Sequence, residues 1–203
     1  VFEGLLPGSY TLTEVVPSGW IATTPTTQDI DIYCTTPGTS VSQPFGDVCV
    51  GCNGGGHTLG FWSNKNGEKT ISNQGLTLPS GVKEDGTVFT PGSYSQFRTW
   101  ILSANATNMA CMLSAQLAAM KLNVAAGFVS GSALVYAPQV PGNTKGFISI
   151  DSLISQAVAA LAKDSYTPSG DSNRQAQEIL KNALDDANNN KNFLCLTPCP
   201  VAY

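Results

Sequence analysis

The stretch Ser9-Tyr-Thr-Leu-Thr-Glu14 alternates polar and apolar side chains and places Tyr10 and Leu12 on one face. Such alternation predicts a half-buried β-strand. Turn-forming residues bound the stretch, with Leu6-Pro-Gly-Ser9 before it and Pro17-Ser-Gly19 after it. We therefore expect the N-terminal part of the chain to consist of short antiparallel strands.

Two later stretches extend this β-region. Asp29-Ile-Asp-Ile-Tyr33 alternates again. Residues 41–50 carry a last strand, which Pro44 and Gly46 interrupt. Three or four short strands are typical of a sandwich fragment, because a complete sandwich of this type has about seven strands. We expect the missing strands to have been cut away or to come from another chain, since an open strand edge is an association site.

From Ser93 onward the spacing of the apolar residues becomes that of α-helices. The strongest stretch, 107–124, is apolar or small on nearly all sides, which predicts a central buried helix. Residues 57–92 are rich in Gly, Asn, Pro and Ser, so we expect loops there, with a short hairpin around Gly86-Thr-Val-Phe89. The four predicted helices cover residues 93–102, 107–124, 149–164 and 171–190.

Together these patterns predict an α+β chain. Residues 1–50 are expected to form a partial antiparallel β-sandwich of the immunoglobulin-like or prealbumin-like kind. Residues 57–203 are expected to form a mainly helical module of about four helices with loops. The glycine-rich stretch 51–56 between them predicts a flexible joint. The tail Cys195-Leu-Thr-Pro-Cys199 is expected to be extended and pinned by a disulfide bond.

The composition argues against several classes of partner. Only 12% of the residues are charged, against about 25% in an average globular protein. With ten Lys and Arg, no basic run and a net charge of −4, we expect no nucleic acid binding. No apolar run approaches the roughly 20 residues of a membrane helix, so we expect no membrane insertion. A polar but weakly charged surface favours self-assembly, or a protein kept soluble by attached sugars.

Six cysteines indicate an oxidising compartment and therefore an extracellular or cell-surface protein. We expect Cys111 to bond to the tail and Cys34 to bond near the glycine-rich joint. The pairs Cys49-x-x-Cys52 and Cys195-x-x-x-Cys199 also have the residue types of a zinc site, but disulfide bonds fit the compartment better. We therefore predict neither a metal nor a cofactor. The disulfide candidates are Cys34, Cys49, Cys52, Cys111, Cys195 and Cys199.

The N-terminal residues carry a family resemblance. They read Phe2-Glu-Gly-Leu-Leu-Pro-Gly-Ser-Tyr-Thr-Leu-Thr-Glu14 and then Pro17-Ser-Gly-Trp20. This resembles the second half of the prealbumin-like surface domains of the Cna-B and SdrD B-like type, in which a Leu-Pro-Gly-x-Tyr turn precedes a strand. Pro44-Phe-Gly-Asp47 resembles the closing strand of that family. The resemblance covers about the first 50 residues and implies a bacterial surface protein.

A second resemblance covers residues 57–199. The sequence His57-Thr-Leu-Gly-Phe-Trp-Ser-Asn-Lys-Asn66 is similar to a Gly-Phe-Trp-motif helical module that follows SdrD B-like domains in large secreted bacterial proteins. Asn105-Ala-Thr-Asn-Met-Ala-Cys-Met-Leu-Ser-Ala-Gln116 also resembles that module. This resemblance implies location and architecture, and it implies no particular chemistry.

Glu14 is the sharpest candidate site residue. In Cna-B pilin domains the Glu of Tyr-x-Leu-x-Glu promotes an isopeptide bond between Lys and Asn, and Tyr10-Thr-Leu-Thr-Glu14 matches this pattern. A buried carboxyl group can move protons between an amine and an amide. The first lysine is Lys65, beyond the β-region, so the amine would come from missing strands or from a neighbouring subunit. The alternative is a Glu at a strand end that faces water.

Other candidates carry weaker signals. His57 is the only histidine and follows three glycines, which make a poor base for a catalytic group, so we expect a polar loop residue. Asp29, Asp31 and Asp47 match no calcium-binding loop and are expected to be solvated.

Aromatic and amide side chains give four further candidates. Phe61, Trp62 and Trp100 are candidates for stacking on glycans, although aromatic residues in such positions are more often part of a core. Asn105-Ala-Thr107 is a glycosylation sequence, and Asn105 is equally a candidate cap for the following helix.

These observations lead to one main functional hypothesis and two others. We expect a non-enzymatic extracellular structural protein, a subunit of a cell-surface filament, sheath or similar assembly that associates through open sandwich edges. The alternative is an adhesive or carbohydrate-binding module of a larger secreted surface protein, which predicts an exposed Trp62 or Trp100. An enzyme is disfavoured, because the chain has a single histidine and few clustered acids.

Overall fold

A computed structural model of the chain describes residues 2–33 and 40–195. The chain forms two compact units. The N-terminal unit consists of residues up to Val50 together with Cys195, and the helical unit is Gly51–Leu194. Each unit has its own architecture, and the two differ in how much of their apolar surface they bury.

The N-terminal unit is built from antiparallel strand pairs, as the alternating sequence predicts. β1 pairs with β3, with Tyr10 opposite Ile30, and β2 pairs with β4, with Trp20 opposite Cys49. In the part of the chain that the structure describes, these are two separate two-stranded sheets rather than a full sandwich. The strands are β1 (Gly8–Thr13), β2 (Trp20–Ala22), β3 (Thr27–Ile32) and β4 (Asp47–Cys49).

The helical unit has six helices where about four were predicted. Residues 57–92, expected to be loops, contain α1 and α2, whereas the short hairpin expected around residues 86–89 is confirmed as β5 with β6. The helices are α1 (Leu59–Trp62), α2 (Lys65–Gln74), α3 (Tyr94–Ser103), α4 (Met109–Ala125), α5 (Ile150–Lys163) and α6 (Arg174–Asn188). Four strands form two hairpins, β5 (Gly81–Val82) with β6 (Val88–Phe89) and β7 (Leu134–Tyr136) with β8 (Phe147–Ser149).

The sequence analysis did not predict α2, because its sequence is polar and contains an internal glycine. Asn64 caps it by accepting hydrogen bonds from the N–H groups of Asn66 and Gly67, and Gly75 ends it in the left-handed conformation. A Cβ on Gly67 would lie 2.4 Å from the carbonyl oxygen of Phe61, so glycine lets α2 pack closely on α1. Capping and close packing, rather than apolar spacing, make this segment helical.

α4 is the central helix of the unit, as predicted, and two apolar clusters lie on its opposite sides. Its larger side chains, such as Leu113 and Met120, pack with α5, α6 and the β7–β8 hairpin. Its small side chains, Ala115 and Ala118 among them, leave room for bulky aromatic rings, including that of Phe97. This division of large and small residues explains why one helix can be buried on nearly all sides.

Candidate functional site

The outer edge of β1 is the first feature of interest in the N-terminal unit. The Glu14 N–H donates to the Thr26 carbonyl at 2.8 Å, in register with the β1–β3 ladder. Antiparallel strands bond to each other at every second residue, so the N–H groups of Ser9, Thr11 and Thr13 point away from β3. Among the described residues no strand pairs with that edge. It is therefore open to a further strand.

Exposed apolar side chains accompany this edge. Phe2 and Leu6 are each 76% exposed and Val15 is 89% exposed. Cys49 is the one apolar residue of this unit that is fully buried among the residues described. The apolar face of β1, with Tyr10 and Leu12, is only half buried. In the described part of the unit, the apolar face that the alternating sequence creates therefore stays half exposed.

Glu14 and Asp47 form a carboxyl pair that links the two strand pairs of this unit. Glu14 follows β1, and Asp47 begins β4. One oxygen of each, Glu14 Oε2 and Asp47 Oδ1, is buried with no hydrogen-bond partner in the described part of the chain. Burial, first, and the neighbouring carboxyl group of Asp47 raise the pKa of Glu14 above its ordinary value. Glu14 is half buried, and its Oε2 is shielded from water.

The other two aspartates considered for calcium have simpler roles. The Ser9 hydroxyl donates to Asp31 at 2.6 Å and the Thr11 hydroxyl donates to Asp29 at 2.8 Å, both across the β1–β3 pair. These are cross-strand pairs of the kind that stabilise a two-stranded sheet. Within the described ranges, no three His, Cys, Asp or Glu side chains lie together as a metal site would require.

His57 lies in an aromatic cluster in the helical unit, in contrast to the expected polar loop. Its ring stacks on Phe61 at 4.0 Å between centroids and meets Phe128 edge-on at 4.6 Å. Burial lowers the pKa of His57 below its ordinary value, because a charged imidazolium would lose hydration there. All three rings are partly exposed, so this cluster forms an aromatic patch at the surface.

A buried amide holds the His57 segment in place. Asn123, on α4, is fully buried, and its Oδ1 accepts from the N–H of His57 at 3.1 Å and from Nε1 of Trp62 at 3.0 Å. Its Nδ2 donates to the carbonyl of His57 and to Oδ1 of Asn188. Sequence reasoning missed Asn123, although an amide within an apolar helix was an available signal.

The glycine-rich stretch 51–56, predicted to be a flexible joint, is closely packed at residues 54 and 55. A Cβ on Gly54 would lie 2.3 Å from the ring of Phe193, and one on Gly55 would lie 1.9 Å from the carbonyl oxygen of Phe128. Gly55 also has a φ of +87°. Glycine is needed at these positions because the backbone packs directly against other residues of the helical unit and leaves no room for a Cβ atom.

Trp62 and Trp100 cannot stack on a glycan, because both are core residues. Trp62 is 0% exposed and Trp100 is 4% exposed. The Nε1 of Trp100 donates to the Val82 carbonyl at 3.0 Å, and Gly81 lies directly against the same indole. The core interpretation is confirmed, and the glycan-stacking interpretation of these two residues is wrong.

The cysteines divide into two groups. Cys49, Cys52 and Cys195 are disulfide-bonded. Cys111 is a free thiol in the first turns of α4, 2% exposed, so the expected bond from Cys111 to the tail is wrong. Burial raises the pKa of this thiol, which keeps it protonated and unreactive. Cys34 and Cys199 lie outside the described residues.

Asn105 does not cap the helix that follows it. Asn108 is the N-cap of α4, and its side chain accepts from the N–H of Ala110. Asn105 Nδ2 donates to Glu84 at 3.1 Å, and its Oδ1 accepts from the N–H of Thr107. Whether Asn105 carries a sugar stays a prediction.

An open depression of about 640 Å³ lies along α2. Two lysines, Lys65 and Lys69, line it together with Glu68, so its charges are of both signs. The hydroxyl of Tyr94 donates to the carbonyls of Trp62 and Asn64, and burial raises its pKa. Because this hydroxyl is already bonded to main-chain groups, it is poorly placed to act on a substrate.

Comparisons with family models, curated proteins and solved structures found no match to this chain. Among the helices of the described residues, none combines the length and apolar character needed to cross a membrane.

Proposed function

We propose that this protein is an extracellular structural subunit of a bacterial surface filament, sheath or similar assembly, and that its N-terminal unit joins subunits. One observation carries the proposal. Among the described residues, the β1–β3 pair has an unpaired outer edge and a half-exposed apolar face, although its sequence alternates as a core strand does. The resemblance to Cna-B and SdrD B-like domains supports the same location.

Strand addition is the physical basis of the association. An incoming strand would bond to the outward N–H groups of Ser9, Thr11 and Thr13, and its apolar side chains would cover Leu12. Full burial of a side chain such as Phe2 or Leu6 contributes about 1.5–3 kcal/mol. A contact in which one subunit completes the next is heterologous and produces an open polymer.

The carboxyl pair defines the chemistry of the incoming strand. A lysine is the side chain that fits, because its ammonium group would neutralise the oxygens of Glu14 and Asp47 that have no partner among the described residues. The resemblance to Cna-B domains further implies a covalent link. That pattern links Lys to Asn, whereas the acceptor here is Asp47. The lysine Nζ would attack the Asp47 carboxyl carbon, Glu14 would transfer the protons, and one water would leave as the amide forms.

Electron microscopy and sedimentation of the oxidised protein test the association. Wild type is expected to form fibres or sheets. Thr11→Pro removes an outward N–H that β3 does not use, so it should abolish the polymer and leave the helical unit folded. Thr11→Ala is the matched control, because it removes the bond to Asp29 and keeps the N–H. A wild-type protein that stays monomeric at all concentrations contradicts the proposal.

A denaturing, reducing gel of the assembled protein separates the ionic contact from the covalent one. A ladder of bands that resist denaturation is expected if the amide forms, and Glu14→Gln should abolish the ladder while the polymer persists. Dissociation of wild type to a single band restricts Glu14 and Asp47 to an ionic role.

The aromatic patch of His57, Phe61 and Phe128 favours one second candidate, a carbohydrate-binding module. Partly exposed aromatic rings can stack on sugar rings, and of the three aromatic candidates Phe61 is partly exposed whereas Trp62 and Trp100 are buried. Titration of the monomer with a panel of oligosaccharides, followed by the NMR signals of the two phenylalanine rings, tests it. Unchanged signals across the panel rule it out.

A further inference from the structure

The two ends of the helical unit meet. The N–H of Gly51, the first residue of the unit, donates to the carbonyl of Phe193, next to its last residue, at 2.9 Å. A Cβ on Gly51 would lie 3.3 Å from the carbonyl oxygen of Lys191. The chain therefore enters and leaves this unit at one place.

The side chain of Asn190 connects the first residues of the helical unit to its last residues by hydrogen bonds. Asn190 follows α6 in the left-handed conformation, with a φ of +58°. Its Oδ1 accepts from the N–H of Gly54 at 3.0 Å and of Gly56 at 2.8 Å, and its Nδ2 donates to the Gly56 carbonyl at 2.9 Å. The amide of Asn190 thus bonds the glycine segment much as a neighbouring strand would.

Close packing reinforces these three hydrogen bonds. Phe193 is 2% exposed, and Gly54 lies against the face of its ring. Gly56 lies against the end of α6, where a Cβ would be 2.3 Å from the carbonyl oxygen of Ala187. Phe193 also bridges to Val135 of β7, so the leaving segment is itself anchored in the unit.

We infer that Gly51–Gly56 and Asn190–Phe193 form a mechanical clasp, which takes up tension applied to the chain before that tension reaches the helices. A force along the chain acts on the unit at Gly51 and Leu194, which lie side by side. The helices can be extended only after these ends separate, and separation requires the Asn190 bonds to break. The clasp lies within the helical unit, and its role is separate from the assembly role proposed for the N-terminal unit.

Single-molecule force spectroscopy on the full chain, with handles at both termini, tests the clasp. Reducing buffer is used so that the disulfide bonds of Cys49, Cys52 and Cys195 carry no load. Wild type should release roughly a dozen clasp residues, an extension of about 4 nm, before the helical unit extends in a much longer step. Asn190→Ala removes three hydrogen bonds, so the clasp release should become about 10- to 100-fold faster at constant force.

Asn189→Ala is the matched control, because the side chain of Asn189 is exposed and donates only to Asp185. It should behave as wild type. Equal release rates for wild type and Asn190→Ala, or a helical step that precedes the short one, would overturn the inference.

Hydrogen exchange of the wild-type protein is a second test of the clasp, which does not require Asn190→Ala to fold. The amides of Gly54 and Gly56 should exchange as slowly as those of neighbouring α6, since their acceptor is the Asn190 side chain. Exchange at the rate of an exposed loop would show that no clasp exists. This result is independent of whether the N-terminal unit assembles.

Discussion

The two units of this chain bury their apolar residues to different extents. The helical unit buries its apolar residues around α4 and fills the remaining space with bonded amides such as Asn123. The N-terminal unit has an equally regular apolar pattern in β1 and β3, yet Cys49 is its one fully buried apolar residue among those described. A sequence pattern prepares a face for burial, but it does not say whether the burial occurs within one chain or between chains.

A matched pair of Leu→Ala substitutions should give the largest difference between the units. Leu113→Ala empties a fully buried site on α4 and should lower the free energy of unfolding by about 2–5 kcal/mol. Leu12→Ala, at a half-buried site, should cost the monomer about 1 kcal/mol or less and instead weaken assembly. Urea denaturation followed by circular dichroism measures the first effect, and sedimentation measures the second. Equal losses of stability would mean that the N-terminal unit has a complete core of its own.

Glycine substitutions sharpen the contrast between close packing and free space. Gly81→Ala places a Cβ 1.8 Å from the Trp100 ring and should lower the free energy of unfolding by about 1–3 kcal/mol. Gly60→Ala is the control, because its Cβ would meet only the Thr58 hydroxyl at 3.5 Å. The control should be neutral or stabilising by up to about 1 kcal/mol, since alanine favours a helix. Thermal unfolding of both variants would check the difference, and a tolerated Gly81→Ala would contradict the packing around Trp100.

The two units should respond to acid in opposite directions. The pKa of His57 is lowered by burial, so the unfolded chain takes up its proton first, and the helical unit loses stability as the pH falls below about 6.5. The pKa of Glu14 is raised, so the folded N-terminal unit holds its proton more tightly and loses stability as the pH rises above about 4.3.

Hydrogen exchange between pH 4 and 7 would measure the stability of each unit separately. This range spans the ordinary pKa values of a carboxyl group and an imidazole. Glu14→Gln should flatten the trend in the N-terminal unit, and His57→Gln should flatten the trend in the helical unit. If both units follow the same direction in wild type, these two residues do not control the acid response.

The elements that the sequence predicted well are those in which a local pattern is also the structural cause. Alternation along β1 and apolar spacing along α4 are each caused by one buried face, so both elements were expected where they lie. α2 was missed because only Gly67 and Ile71 of its residues are buried, and its capping by Asn64 is easily read as a loop signal. Short-range patterns therefore located most of the secondary structure.

The site residues were harder to predict because they depend on contacts distant in sequence. The glycines at 54–56 look flexible until Asn190 and Phe193 are seen against them. Cys111 looked available for a disulfide bond, but it is a buried residue near the start of α4. Glu14 was identified from its local pattern, whereas its partner Asp47 became apparent only when β4 was placed beside β2.

Hydrogen exchange of the N-terminal unit at low and high protein concentration tests strand addition at the edge of β1. We expect the amides of Ser9, Thr11 and Thr13 to become protected in the assembled state, because an incoming strand bonds to them. Exchange within Gly51–Leu194 should stay unchanged. An assembled state in which these three amides exchange as fast as in the monomer would contradict strand addition at the edge of β1.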